Sequence, residues 1–336
     1  MGSDYQGSTS GATQRCKFVT SSTGPRFSIM IPVRNGAAFV EEAIASALAQ
    51  EERDAEIVVV DNASTDFTAD VVRAFNDPRL RYIRNDHDLG MVGNWNRCIE
   101  LAAGEFITLL HHDDRWLPGF LARARRLFDA YPKAEVVYGG CRIVDTGGRL
   151  LRLHQPFPEL HVWTGERELE VLIRGNYIYC PTVVYRASAL KRVGGFNPRL
   201  KLAPDWELLL RLALVGSVFI YDPEPMSEYY ERDDSVHAII DGELRTGEEH
   251  IVALLGIARE LAQTGEKIQA AYAETLNLWA NREVPVALDE FMNLRLVNAA
   301  RHFFLAYQAA GSLRRVIRKV RRAMRKRGRN RIRSRG

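Results

Sequence analysis

Cysteine is scarce and scattered: Cys16, Cys98, Cys141 and Cys180 are the only four in 336 residues, and no two form a CxxC pair. A disulfide framework and a cysteine-rich structural zinc site are thereby excluded, and a reducing cytoplasm is the expected setting. Long apolar runs are missing too. No stretch approaches the ~20 apolar residues of a spanning helix, and the N-terminus has no basic segment followed by an apolar one, so neither an integral membrane protein nor a secreted one is expected. Residues 313–336 lack both acids and aromatics while holding 13 Lys or Arg, which leaves 33 bases against 42 acids elsewhere: an acidic body with a basic tail. With no ring in the tail for bases to stack on, nucleic acid is not an expected partner. Leu313, Val316, Ile317, Val320 and Met324 fall at helical spacing among the arginines. Such a basic amphipathic helix suits an anionic membrane surface, and so predicts peripheral attachment to the inner face of a membrane.

What is present is ordinary globular composition, 46% hydrophobic and 26% charged. Residues 1–25 are rich in Ser, Thr and Gly and predict a disordered leader. Then strand and helix alternate. Phe27 to Val33 reads as a strand and Phe39 to Leu48 as a helix. Ile57 to Val60 is a β-branched strand closing on Asp61-Asn62, with Ser64 or Thr65 placed to cap a helix running to about Phe75. Leu80 to Arg84 and Phe106 to Leu110 are two more strands, separated by a helix over Gly90 to Ala102. Four such units predict an α/β fold, a Rossmann-like and mostly parallel sheet flanked by helices, of nucleotide-binding type. The strand ends carry Arg34-Asn35, Asp61-Asn62, Arg84-Asn85 and His111-His112-Asp113-Asp114. In a parallel sheet these converge on one crevice. Further on, a helix is expected near Leu117 to Ala130, a strand at Glu135 to Tyr138, a polar connector from Thr146 to Pro158 and a helix near Glu166 to Ile173. A strand near Thr182 to Tyr185 and a helix from Trp206 to Val215 follow, and the pattern from Gly242 to Ala310 is helical throughout.

The chain resembles the family 2 glycosyltransferases, inverting enzymes of the GT-A fold, from about Phe27 to His237. Six motifs in order carry the resemblance. They are Ile31-Pro32-Val33-Arg34-Asn35; Val60-Asp61-Asn62 with Ser64-Thr65-Asp66; Leu89-Gly90 with Asn94 and Asn96; Leu110 to Asp114; Tyr185-Arg186 with Val193-Gly194-Gly195-Phe196; and Asp205-Trp206-Glu207-Leu208. The resemblance implies a GT-A domain over 26–240, with a nucleotide-binding half at 26–115 and an acceptor half at 116–240. A helical extension follows at 241–311 and a basic amphipathic tail at 312–336. It implies a nucleotide-sugar donor, a glycan or lipid-linked acceptor, and a divalent cation, Mn²⁺ or Mg²⁺.

By the same resemblance Asp61 meets the base of the nucleotide, with Pro32, Arg34, Asn35, Asn62, Arg84 and Asn94 around the nucleotide; helix capping is the alternative for Asp61. Asp113 becomes the metal ligand, since a hard cation wants a carboxylate beside the diphosphate oxygens. His111 stands where the family usually has an aspartate, and an imidazole there favours Mn²⁺. Asp114 is expected to cap the helix announced by Trp116-Leu117-Pro118. Asp205 takes the place of the general base, with Pro204 where a glutamate usually precedes it; an N-cap is its alternative. Thr182, Trp206, Glu207 and Arg232 fall near donor and acceptor, with Trp206 and Glu207 also able to support the helix end. His237 is placed to reach the diphosphate or metal, with Arg232 its competitor. Two rivals stay open: a nucleotidyltransferase, which would carry a glycine- and arginine-rich loop after its first strand, and a sugar-nucleotide or glycan-binding subunit without turnover.

Overall fold

The computed structural model describes residues 24–232, 246–292, 296–312 and 314–323. Residues 1–23 of the expected leader, Leu313, His237 and residues 324–336 of the tail lie outside the described residues. Strands β1 (Phe27–Val33), β2 (Ala55–Asp61), β3 (Leu80–Arg84) and β4 (Phe106–Leu109) pair in parallel in the order β3-β2-β1-β4. Helices α1 (Val40–Leu48), α2 (Thr68–Arg73) and α3 (Gly90–Leu101) connect them. Every residue of β1 and β2 is buried, which is why both read as continuous apolar runs rather than alternating ones. Alternation is still present in where they point: Ile29, Ile31, Ile57 and Val59 pack with α1, whereas Met30, Val58 and Val60 face the opposite core with α3. Order reverses beside β1, with β2 on one side and β4 on the other, so the crevice at the carboxyl ends of β1 and β4 is the place where open α/β sheets take ligands.

The second half widens this sheet. It comprises β5 (Arg115–Trp116), α4 (Phe120–Ala130), β6 (Ala134–Val144), β7 (Leu150–His154), β8 (His161–Thr164), α5 (Gly165–Leu172), a 3₁₀ turn (Cys180–Thr182), β9 (Val184–Arg186), α6 (Ala187–Val193), α7 (Pro204–Leu214) and β10 (Val218–Tyr230). The sheet continues from β4 through β9, β6 and β10 to β5, with β7 on β6 and β8 on β10. Because β9 runs antiparallel to both β4 and β6, the sheet is parallel over its first four strands and mixed beyond them. Three expectations are corrected here. The stretch 146–158 is not a bare connector but contains β7, antiparallel to β6. The helix after β2 starts at Thr68, not after Ser64 or Thr65, because Ser64 Oγ accepts from Asn35 N at 2.8 Å and Thr65 N donates to Asn35 Oδ1 at 2.8 Å. Asp114 caps nothing: the residues after it form β5 against β10, and α4 begins only at Phe120, after a left-handed Gly119.

Helices α8 (Thr246–Gly256), α9 (Ala258–Leu261), α10 (Glu266–Met292) and α11 (Leu296–Ala310) make up the extension. Ile251, Leu254, Ile257 and Trp279 enter the same apolar cluster as Trp206, Leu209 and Leu212, so extension and sheet share one core. Residues 314–323 are helical, but Val316 is buried in that core, Val320 packs against it, and Lys319 Nζ reaches Asn277 Oδ1 at 2.6 Å on α10. The described part of the tail's apolar stripe is therefore turned largely inward. What faces solvent is mainly Arg314, Arg315, Arg318, Arg321 and Arg322 with Ile317. Among the described residues no helix is long and apolar enough to cross a membrane, and Cys98, Cys141 and Cys180 are buried free thiols.

One buried acid gives the fold a pH dependence. Glu168 of α5 is fully buried and accepts from Tyr138 OH at 3.1 Å and from Tyr177 OH. Burial raises its pKa from 4.5 to about 7, only partly offset by the two hydroxyls. Its folded value lies above its unfolded one, so the folded state holds the proton more firmly, and stability is lost as pH rises between these values. A shift of that size corresponds to an upper limit of about 3 kcal/mol. Glu168→Gln should therefore shrink the fall in Tm between pH 5 and pH 8; an unchanged fall would show that the carboxyl does not titrate in this range.

Candidate active site

The strand ends meet as their spacing suggests, but they divide the work differently. Asn35 and Ala63 both take positive φ, 50° and 58°, at the ends of β1 and β2. Asn tolerates this conformation and Ala does not, so strain is concentrated at the crevice. Gly36 has a steric reason: a Cβ there would stand 2.5 Å from the His112 ring, which packs under the β1 loop from the end of β4.

Asp61 is fully buried, with Oδ1 accepting from Ser64 N at 2.8 Å and Oδ2 from Arg84 Nη1 at 3.0 Å and from Tyr82 OH. Burial alone would raise its pKa. The donors from Ser64, Tyr82 and Arg84 outweigh it and hold the carboxyl below its ordinary range, hence ionised. Pro32 is buried in β1, whereas Arg34 is exposed and pairs with Asp88. Asn62 and Asn94 direct their amides to protein partners. Asn62 Nδ2 donates to Asp88 Oδ1 at 2.6 Å and Gly90 O at 3.3 Å, while its Oδ1 accepts from Leu89 N at 2.9 Å and Asn85 Nδ2 at 3.2 Å. Asn94 is buried beneath, donating to Val60 O at 2.9 Å and accepting from Asn85 Nδ2 at 2.9 Å. These amides tie the loops after β2 and β3 to α3, so they shape the crevice floor.

At the end of β4, ligand atoms of His111, Asp113 and Asp114 lie within 4.8 Å of one another. His111 stacks on Trp95 with ring centroids 5.0 Å apart, and its Nδ1 stands 3.5 Å from Asp114 Oδ2. Asp114 is 3% exposed; its Oδ1 accepts from Tyr230 N at 3.2 Å. His111 Nε2 and Asp114 Oδ2 are both buried without a hydrogen-bond partner, which burial normally forbids. Two carboxylates and an imidazole with orphaned atoms fit a divalent cation. Burial would lower the His111 pKa, but the surrounding groups, Cys180 and Asp114 foremost, raise it well above its usual value. Burial also pushes up the Cys180 thiol, so the Asp114 carboxylate rather than a thiolate is the counter-charge. Arg232 Nη2 donates to Asp113 Oδ2 at 2.8 Å while its guanidinium lies 4.1 Å over the Phe39 ring.

Phe39, Glu42, Asp113, Asp114, Tyr230 and Arg232 line a cavity of about 210 Å³. This is below the roughly 300–1,000 Å³ of sites that enclose a whole small ligand, so it suits one end of a ligand lying along the crevice. A larger groove of about 460 Å³, between α5 and α10, holds none of these groups. Its charges pair across it, Arg174 with Glu274 at 2.7 Å, so the chemistry belongs to the smaller cavity.

Asp205 opens α7. It does not cap the helix, for it lies inside the first turn after Pro204. Its Oδ2 accepts from Asn176 Nδ2 at 2.9 Å. Burial raises its pKa, while Trp206 N, the His111 charge and Asn176 pull it back; the net shift is upward. The other predicted contacts separate here. Trp206 is fully buried, with Nε1 donating to Leu172 O at 2.7 Å. Thr182 is fully buried and turned to Tyr179 O at 2.7 Å. Glu207 holds Arg211 at 2.8 and 2.9 Å, and Arg211 binds the carbonyls of Val193 and Gly195, locking the Gly194-Gly195 turn. All three spend their polar groups on protein partners and pack into the fold.

Residues 28–194 match the family model described as Glycosyl transferase family 2. An uncharacterised protein of Mycobacterium tuberculosis is 33% identical over 204 residues, covering 58% of this chain and 64% of its own. A PGL/p-HBAD biosynthesis glycosyltransferase of Mycobacterium bovis is 30% identical over 190 residues, 56% of this chain and 69% of its own. Over the first four curated relatives the match spans 64, 32, 61 and 32% of their lengths. The fold is that of S. aureus TarS 1-349, solved with UDP-GlcNAc: TM-score 0.68 at 20% identity, over 91% of this chain and 92% of that one.

Proposed function

The chain belongs to glycosyl transferase family 2, and from that premise we propose that it moves a sugar, with inversion, from a nucleotide-sugar donor to a hydroxyl of a glycan or glycolipid acceptor. The observation that carries the reading is two separate sets of acidic groups: Asp113 and Asp114, clustered with His111, and Asp205, held by Asn176. One set suits a cation and the other suits a proton acceptor, as transfer from a sugar diphosphate requires.

His111, Asp113 and Asp114 would hold a divalent cation; the imidazole among the donors favours Mn²⁺ over Mg²⁺. Bound there, the ion would neutralise charge developing on the leaving diphosphate. Arg232, beside Asp113, adds a fixed positive charge on the same side. Asp205 takes the proton of the acceptor hydroxyl as its oxygen bonds to the anomeric carbon and the bond to the diphosphate breaks. Its raised pKa makes it a stronger base than an ordinary aspartate. The nucleoside end lies toward Arg34, Asn35 and the Asp61–Arg84 pair, with Asn62 and Asn94 acting through the loops they tie together.

Incubation with UDP-, GDP- and dTDP-sugars and Mn²⁺ should release free nucleoside diphosphate from one of them, faster when the right acceptor is added. Release of pyrophosphate would point to nucleotidyl transfer, and no release from any donor would leave a binding subunit.

A further inference from the structure

Helix α7 delivers Asp205, yet its N-terminus has no cap of its own: Ala203 precedes it with no capping side chain, and Pro204 follows with no N–H. The missing acceptor comes from the extension. Glu249 of α8 accepts from Lys201 N at 2.8 Å, Leu202 N at 2.5 Å and Ala203 N at 3.3 Å through Oε2, and again from Lys201 N at 2.9 Å through Oε1. Ala203 N is the N-cap amide, while Lys201 N and Leu202 N belong to the loop before the helix, so the carboxylate fixes that loop beside the positive end of the α7 dipole. The next residue, His250, lies between Trp206 and Trp279, with ring centroids 4.6 Å from each. Trp206 follows Asp205 directly, and Trp279 belongs to α10. The loop before Asp205 and the side chain after it are thus both held by the extension. Among the described residues the Asp205 carboxylate has Asn176 and its own turn as donors.

We infer that Glu249 is a positioning residue for the transfer reaction: it fixes the loop 201–203 so that Asp205 points at the acceptor hydroxyl, and the helical extension completes the active site. The inference rests on Asp205 being the base. It predicts a loss confined to turnover, because among the described residues the hydrogen bonds of Glu249 go to the loop 201–203 and to no group assigned to donor or cation. A displacement of about 1 Å at a reacting group lowers rate by on the order of 10²-fold. In the full chain, Glu249→Ala should lower kcat by roughly ten- to a hundredfold. The donor KM and the thermal shift given by nucleoside diphosphate with Mn²⁺ should stay as in the parent. Glu249→Gln keeps an accepting oxygen and should recover most of the loss.

Three results would overturn the inference: an unchanged kcat in Glu249→Ala, a fall in donor binding that matches the fall in kcat, or equal losses in the Ala and Gln variants. If Glu249→Ala fails to fold, the same separation of kcat from donor KM is read in Glu249→Met, which keeps the bulk but has no oxygen to accept from 201–203, and unchanged kcat there overturns it. Asp205→Asn, assayed alongside, separates the two claims. An inactive Asp205→Asn with a fully active Glu249→Ala removes only the role of Glu249, whereas an active Asp205→Asn removes the base itself.

Discussion

Asp205→Asn should lower kcat by about 10²–10⁴-fold, the usual contribution of a general base, while nucleoside diphosphate binds as in the parent. The substitution is close to isosteric, and the new amide oxygen can still accept from Asn176, as Asp205 Oδ2 does at 2.9 Å. Folding should not suffer, because burial already disfavours the charged form at this position. The same burial fixes the sign of the pH dependence. The base works ionised, so activity falls as pH drops through its pKa. That pKa lies above the ordinary value of 3.8, so the acid limb of kcat in the parent should sit at a higher pH than for an unperturbed aspartate. Single-turnover assays from pH 4 to pH 8 measure both effects. Full activity in Asp205→Asn would falsify the assignment.

Strands β1, β2 and β4 were legible because burial on both faces makes each a largely continuous apolar run, whereas half-exposed β3 was legible from the alternation of Leu80, Tyr82 and Arg84 with Arg81 and Ile83. Strand β10 was not legible. Pro223 and Pro225 interrupt it, and proline inside a run argues against a central strand; the structure accommodates them with register shifts between Asp222 and Ser227. Strand β7 hides for another reason: Leu150, Leu151 and Leu153 are exposed, so no buried face imposes a clean alternation on it. At the site, the sequence placed polar residues at the correct edge but could not say which way they face. Asn62 and Asn94 turn inward to Asn85, and Thr182 turns to Tyr179, because the polar groups left buried there need partners. Tyr82, Asp88, Trp95 and Asn176 were invisible as site residues, since each acts on a group distant in sequence and sits in no motif. The Trp95–His111 stack joins α3 to the end of β4. Glu249 is the extreme case, reaching across 46 residues to Ala203.

Asp113→Ala should remove metal dependence together with most activity. The described cluster has two carboxylates and one imidazole, and the bound cation would lose one of its two anionic donors. Arg232 would also lose its 2.8 Å contact with Asp113. Lewis-acid stabilisation of a leaving group is worth several kcal/mol, so the fall in kcat should be on the order of 10²–10³-fold, and chelation of the parent should lower it as far. A binding measurement separates this from misfolding. At a hundredfold excess over Kd, a ligand confined to the native state adds about 2.7 kcal/mol, a shift of several degrees in Tm. The parent should show such a shift for nucleoside diphosphate with Mn²⁺ and a smaller one without. Asp113→Ala should show only the smaller, with or without the ion. Asp61→Ala makes the complementary change: it removes the acceptor held by Tyr82 and Arg84, so nucleoside affinity falls while the response to Mn²⁺ persists. If Asp113→Ala kept the full Mn²⁺-dependent shift, the cation would have to be held by other groups, and Asp113 would be left as the partner of Arg232 alone.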